Sequence, residues 1–141
     1  DYLGFEAIID DYSGTDAANL SKAYAGICYF KMGDSQKALD LLKSYDGSDK
    51  MIAPSVTGLI GDCLVNAGKV EEGISYFEKA ASQADNEVVS PVYLKKAGLA
   101  YESLKQNEDA VKAYTTIKEK YFNSLEASDI DKYIVRASSA K

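Results

Sequence analysis

Apolar residues return every three to four positions along most of this chain, the period of a helix that buries one face. The opening DYLGFEAIIDDY sets Leu3, Phe5, Ile8, Ile9 and Tyr12 at that spacing, with Asp10 and Asp11 on the other side, and predicts an amphipathic helix within residues 1–13. Thr15 is placed to cap the next helix and Asp16 suits its positive end, so that helix runs from about Asp16 to Met32. Gly33 ends it in the left-handed conformation that glycine adopts without penalty. Asp34 or Ser35 then caps a return helix with Ala38, Leu41, Leu42 and Tyr45 inward, stopping at Asp46-Gly47.

The same order recurs over residues 51–84 and 89–121. Pro54 and Pro91 each stand seven residues before a glycine, Gly61 and Gly98, in a first helical turn where proline's missing N–H is not needed. Ser90 reads as the cap before Pro91. The second return helix follows the turn at Gly68-Lys69 with Ile74, Phe77 and Ala80 inward. The third carries Ala110, Val111, Tyr114, Ile117 and Tyr121, but its turn holds Lys105 where the others hold glycine. A left-handed non-glycine costs about 1–2 kcal/mol, so either this turn is strained or it shifts toward Asn107. Residues 124–140 close the chain with a helix introduced by Ser124 and Glu126, its stripe formed by Ile130, Tyr133, Ile134 and Ala137.

Three strings align: AGICYFKMGDSQKALDLL from Ala25, IGDCLVNAGKVEEGISYF from Ile60 and AGLAYESLKQNEDAVKAY from Ala97. They place Gly26, Gly61 and Gly98 three residues before Tyr29, Leu64 and Tyr101, and Ala38, Gly73 and Ala110 four before Leu42, Phe77 and Tyr114. The pattern resembles the tetratricopeptide repeat, with its Leu-Gly-x2-Tyr and Ala-x3-Phe elements at a period of about 34 residues. The resemblance implies an all-α, right-handed α-solenoid over residues 1–141: one unpaired first helix, three helix-turn-helix repeats and a capping helix. Phe5, Ile8 and Tyr12 match Tyr114, Ile117 and Tyr121, so the first helix resembles the second half of a repeat. Its far side is expected to stay uncovered, and a longer chain that restores its partner helix is expected to melt higher. Gly26 and Ala38 are expected to let two helix backbones approach closely.

In the family a ligand groove is lined from positions six and three residues before the repeat glycine and one and four after it. That resemblance implies a partner-binding face of Leu20, Ala23, Ile27 and Phe30 in the first repeat. In the second it implies Asp62 and Val65 beside Ser55 and Gly58, and in the third Val92, Lys95, Leu99 and Glu102. The basic clamp with which some members hold a C-terminal carboxylate is absent, because Ala23, Ile27 and Val92 fill three of its sites and only Lys96 keeps a basic one.

Charge narrows the partners. The net charge of −6, with the surplus acid in the first half, lacks the basic stripe of a nucleic-acid binder. No apolar run reaches the roughly 18 residues of a membrane span, and any membrane link would need an anchor outside this chain. Cys28 and Cys63 occupy equivalent repeat positions on helices about 8–10 Å apart, too far for a disulfide, and read as small core residues. Without histidine they form no zinc site of usual spacing, and no metal or cofactor is expected.

Catalysis has no candidate: there is no Gly-x-Ser-x-Gly elbow and no glycine-rich phosphate loop. The acid pairs Asp10-Asp11, Glu71-Glu72 and Glu108-Asp109 lie at helix ends, where the dipole favours them or water solvates them. The glycosylation triplet Asn19-Leu20-Ser21 falls inside a helix, and most of the eleven tyrosines read as core. The expectation is a non-catalytic scaffold binding a peptide or partner helix, with no small-molecule substrate. The junctions Tyr12-Ser13-Gly14-Thr15 and Tyr121-Phe122-Asn123-Ser124 resemble repeat ends of bacterial envelope proteins, without their proline, and imply a periplasm-facing accessory to translocation or chaperoning. The alternative is an assembly module of a larger protein, self-associating through the groove or the unpaired first helix.

Overall fold

A computed structural model describes residues 2–140, with side chains from residue 4 onward. The helices are α1 (Tyr2–Asp11), α2 (Asp16–Lys31), α3 (Ser35–Lys43), α4 (Ile52–Asn66), α5 (Val70–Ala84), α6 (Ser90–Ser103), α7 (Asn107–Lys120) and α8 (Ile130–Ser139). A 3-10 turn, Glu126–Asp129, precedes α8, and no strand occurs among the described residues. Each helix packs on its neighbours in sequence, and α2 also touches α4. The fold is therefore an all-α solenoid. No helix among the described residues is long and apolar enough to cross a membrane.

The repeat glycines explain how each pair closes. A Cβ at Gly26 would lie 2.6 Å from Leu42 Cγ, one at Gly61 2.7 Å from Phe77 Cδ1, and one at Gly98 2.6 Å from Tyr114 Cζ. In every repeat the large residue of the return helix fills the space that the glycine leaves. Between repeats the core falls into separate clusters: Leu42 with Ile60 and Leu64, Ile74 and Phe77 with Ala97, and Tyr114 and Ile117 with Ile130. Each cluster seals one hairpin against the next, the nearest-neighbour stacking of a repeat protein.

Local signals act as expected in several places. Thr15 Oγ1 accepts from Ala18 N at 3.1 Å, and Asp34 Oδ1 accepts from Lys37 N at 3.1 Å. Gly33 and Gly68 have φ of +86° and +79°. Lys105 keeps the same left-handed turn at φ +58°, so the turn is strained rather than shifted. The bonds agree: Gln106 N donates to Tyr101 O at 2.9 Å, as Asp34 N does to Tyr29 O.

Four expectations need correction. The return helix α3 ends at Lys43, ahead of Asp46-Gly47. Asn19 draws the chain away there, donating to Asp46 O at 2.6 Å and accepting from Asp46 N at 2.7 Å. Ser90 does not cap α6; its hydroxyl donates to Ala81 O at 2.7 Å, while Asn86 Oδ1 accepts from Val88 N and Val89 N. The closing segment is a 3-10 turn and then a ten-residue helix, not one helix from 124.

Tyr12, expected in the core like its counterpart Tyr121, is the fourth, although the uncovered far side expected of the first helix is seen. Tyr12 is 61% exposed, whereas Tyr121 is buried and donates to Asp85 at 2.9 Å. No described element stands before Tyr12 as the end of α5 stands before Tyr121. For the same reason no described side chain of α1 is buried, and Phe5, Ile8 and Ile9 are half-covered. Leu3, expected in that stripe, lies outside the described side chains.

Candidate partner-binding face

The first helices of the repeats, α2, α4 and α6, share one face. Between them lies a mostly apolar cleft of about 320 Å³, walled by Leu20, Ala23, Tyr24 and Ile27 on one side. Met51, Ile52, Ser55, Val56 and Leu59 form the other wall, and Tyr93 of α6 closes the end. Gly58 makes that closure possible, since a Cβ there would lie 2.6 Å from Tyr93 Oη. Tyr93 stacks on Phe77 with ring centroids 6.2 Å apart, and Phe5 of α1 stacks on Tyr24 at 5.7 Å. Tyr24 and Met51 are 46% and 65% exposed, so the cleft opens to solvent along an apolar lip.

Beside Tyr93 the chemistry turns ionic. Lys96 Nζ donates to both oxygens of Asp62, at 2.7 and 2.8 Å, and lies 5.8 Å from the Tyr93 ring centre. Burial, helped by the Asp62 charge, pushes the Tyr93 phenol above its ordinary pKa. A partly buried phenol beside a paired carboxylate stays neutral.

At the opposite end, a second hollow of about 380 Å³ adjoins the cleft through the shared walls Leu20 and Ile52. Asp16, Asp46 and Asp49 line it. Asp49 Oδ1 accepts from Met51 N and Ile52 N, both at 2.9 Å, and these bonds hold its carboxyl below the usual range.

The structure distributes the anticipated face unevenly. Leu20, Ala23 and Ile27 line the cleft, though Ala23 is only 2% exposed and forms its floor. Phe30 and Val65 pack against core clusters, which leaves less of them for a partner. Asp62 is held by Lys96. Lys95 reaches Asp129 at 3.3 Å and sits 4.5 Å from the Tyr133 ring centre. Glu102 accepts from Tyr114 Oη at 2.7 Å and takes Arg136 on both oxygens, Nε at 2.9 Å from Oε1. These two third-repeat positions therefore bind α8 and the turn before it. Val92 is half-buried, and Leu99 is exposed on α6 outside the cleft.

Tyr24, Leu59 and Tyr93 line the cleft without having been singled out for it. Tyr24 and Leu59 each stand two residues before a repeat glycine, and Tyr93 five before one, so repeat register could have found them. Gly58 carried the other signal, an extra glycine one turn ahead of Gly61. Both cysteines are free, Cys63 fully buried and Cys28 partly so.

One family model described as tetratricopeptide repeat matches residues 24–45 and 93–124, and a second model of the same description matches residues 57–87. Together these segments cover more than half of the chain, each opening within the α2, α4 or α6 helix. No match is found among curated proteins.

Proposed function

Because the chain belongs to the tetratricopeptide repeat family, whose members generally mediate protein–protein interaction, we propose that it is a non-catalytic scaffold holding a peptide or helix of a partner protein in the cleft between α2 and α4. One observation carries this reading: an open apolar cleft, walled by Leu20, Ile27 and Leu59, on the face shared by the first helices. At about 320 Å³ it sits at the low end of the roughly 300–1,000 Å³ of ligand pockets, room for one or two large side chains. An amphipathic helix binds such a groove by apolar anchors one turn apart.

Crosslinking with mass spectrometry on the full-length protein in its own cells tests the proposal, with Ile27→Lys as the disrupting variant and Leu99→Lys as a control outside the cleft. Loss of partner crosslinks in Ile27→Lys alone supports it. Crosslinks that survive Ile27→Lys unchanged contradict it.

A second reading has its own support in α1, whose described side chains are none of them buried, next to the exposed Tyr12. On that reading α1 joins copies of the chain or parts of a larger protein. Light scattering over a dilution series separates the two, since a monomer at every concentration contradicts self-assembly through α1. The two junctions ending at Thr15 and Ser124 support a role at a bacterial envelope, assisting translocation or chaperoning outside the cytoplasm. A reporter fused to the full-length protein and active only outside the cytoplasm tests that location.

A further inference from the structure

Two hollows that share walls present different chemistry to one ligand. The cleft between α2 and α4 is apolar, and the hollow continuing from it past Leu20 and Ile52 is lined by Asp16, Asp46 and Asp49. None of these three carboxylates forms an ion pair among the described residues, whereas Asp62, Asp85, Glu102 and Asp129 each hold a lysine or arginine. Lys22 of α2 does not neutralise them; its ammonium is turned to Ser44 O at 3.3 Å.

Helix dipoles account for part of this placement. Asp16 sits in the first turn of α2 and Asp49 binds the first N–H groups of α4, positions that favour acids in any helix. Asp46 is different. It belongs to no helix, and Asn19 fixes its backbone on both sides, N–H and C=O, so its position in the hollow is held by a dedicated clamp. Beside Tyr93, by contrast, the nearby carboxylate of Asp62 is paired with Lys96. Carboxylates without an ion pair among the described residues therefore line the hollow at the Leu20–Ile52 end of the apolar cleft.

Resting on the cleft as the binding site, we infer that its occupant is a protein segment with one or two large apolar side chains followed, on the side that lies over Asp16, Asp46 and Asp49, by lysine or arginine. The apolar part supplies most of the affinity and the basic part sets the direction in which the segment lies. Exposed charge pairs are individually weak, and two together change affinity by about tenfold. That increment is screened by salt, whereas the apolar anchors are not.

The test is an array of short synthetic peptides with varied apolar centres, flanked on one side by Arg-Arg, Gln-Gln or Glu-Glu, probed with the whole chain. The expected result is selection of Arg-flanked peptides. An Asp16→Asn/Asp46→Asn double variant should weaken these about tenfold, leave Gln-flanked ones within about twofold, and reduce the salt sensitivity of the Arg-flanked set. Asp49 is left intact because it caps α4. If Gln- or Glu-flanked peptides bind as well as Arg-flanked ones, or no Arg-flanked peptide binds, the inference is overturned. If peptides bind equally to Ile27→Lys, the cleft itself is the wrong site and both readings fall.

Discussion

The ring of Tyr114 lies over Gly98 so closely that a Cβ on the glycine would fall 2.6 Å from Cζ, with Cε1 nearer still. The ring cannot easily yield, because its hydroxyl donates to Glu102 at 2.7 Å. At Gly26 the corresponding neighbour is Leu42, an aliphatic side chain with two torsions to adjust. Replacing a mid-helix glycine by alanine gains about 0.5–1 kcal/mol of helix propensity, while overpacking costs about 1–3 kcal/mol. Gly98→Ala is therefore expected to destabilise by about 1–2 kcal/mol and Gly26→Ala by clearly less. Urea denaturation of both variants decides, and equal losses would contradict the pinned-ring account.

Lys105 holds φ +58° in a turn whose counterparts are Gly33 and Gly68. A left-handed lysine costs about 1–2 kcal/mol, of which a glycine's extra freedom in the unfolded chain takes back part. Lys105→Gly should stabilise the chain by about 0.5–1 kcal/mol. A thermal midpoint that falls instead would show that the lysine side chain makes a compensating contact.

Docking of α8 should depend on acid. Arg136 beside Glu102, aided by the Tyr114 hydroxyl against the opposing effect of burial, holds that carboxyl below its usual pKa. Lys132 and Lys95 do the same for Asp129. A depressed folded pKa means that the stabilisation is complete above the ordinary carboxylate range, roughly pH 4, and is lost as pH falls through the lower folded value. Tyrosine near-UV circular dichroism, free of tryptophan here, includes the packing of Tyr133 on Tyr114, centroids 5.5 Å apart. Wild type should lose that signal below about pH 4. Glu102→Gln should be less stable at neutral pH and lose less on acidification, and an unchanged acid profile would remove Glu102 from the account.

Cys63 is fully buried, and burial together with the Asp62 charge raises its thiol to about 11. Thiol reagents attack the thiolate, so the folded chain should react at Cys28 first. A thiol-reactive dye at mildly alkaline pH should label one site quickly and the second only with unfolding. Rapid labelling of both would mean that the contact between α4 and α5 opens readily.

Within the sequence, the repeat register carried most of the fold. Gly26, Gly61 and Gly98 each meet the large residue sixteen positions on, a contact inside one hairpin, and its two halves lie within one short string. Capping by Thr15 and the turns at Gly33 and Gly68 were legible for the same reason: their partners are three to five residues away. Partners further off were not. Asn19 meets Asp46 across 27 residues and so shortens α3, and Lys95 and Glu102 meet Asp129 and Arg136 across 34. A position in a repeat says which face a side chain takes, but not whether the next helix has already claimed it. Leu20 and Ile27 stayed open to the cleft because no such claimant reaches them, while Phe30 and Val65 turned into the core.

Where a partner sits can be read directly by placing a photocrosslinking amino acid in the full-length protein, once at Tyr24 on the lip of the cleft and once at Ser82 on the exposed side of α5. Irradiation in the native cells should yield partner adducts from position 24 and none from position 82. Adducts from position 82 alone, or equally from both, would contradict the claim that the hollow of the first helices is where this scaffold holds another protein.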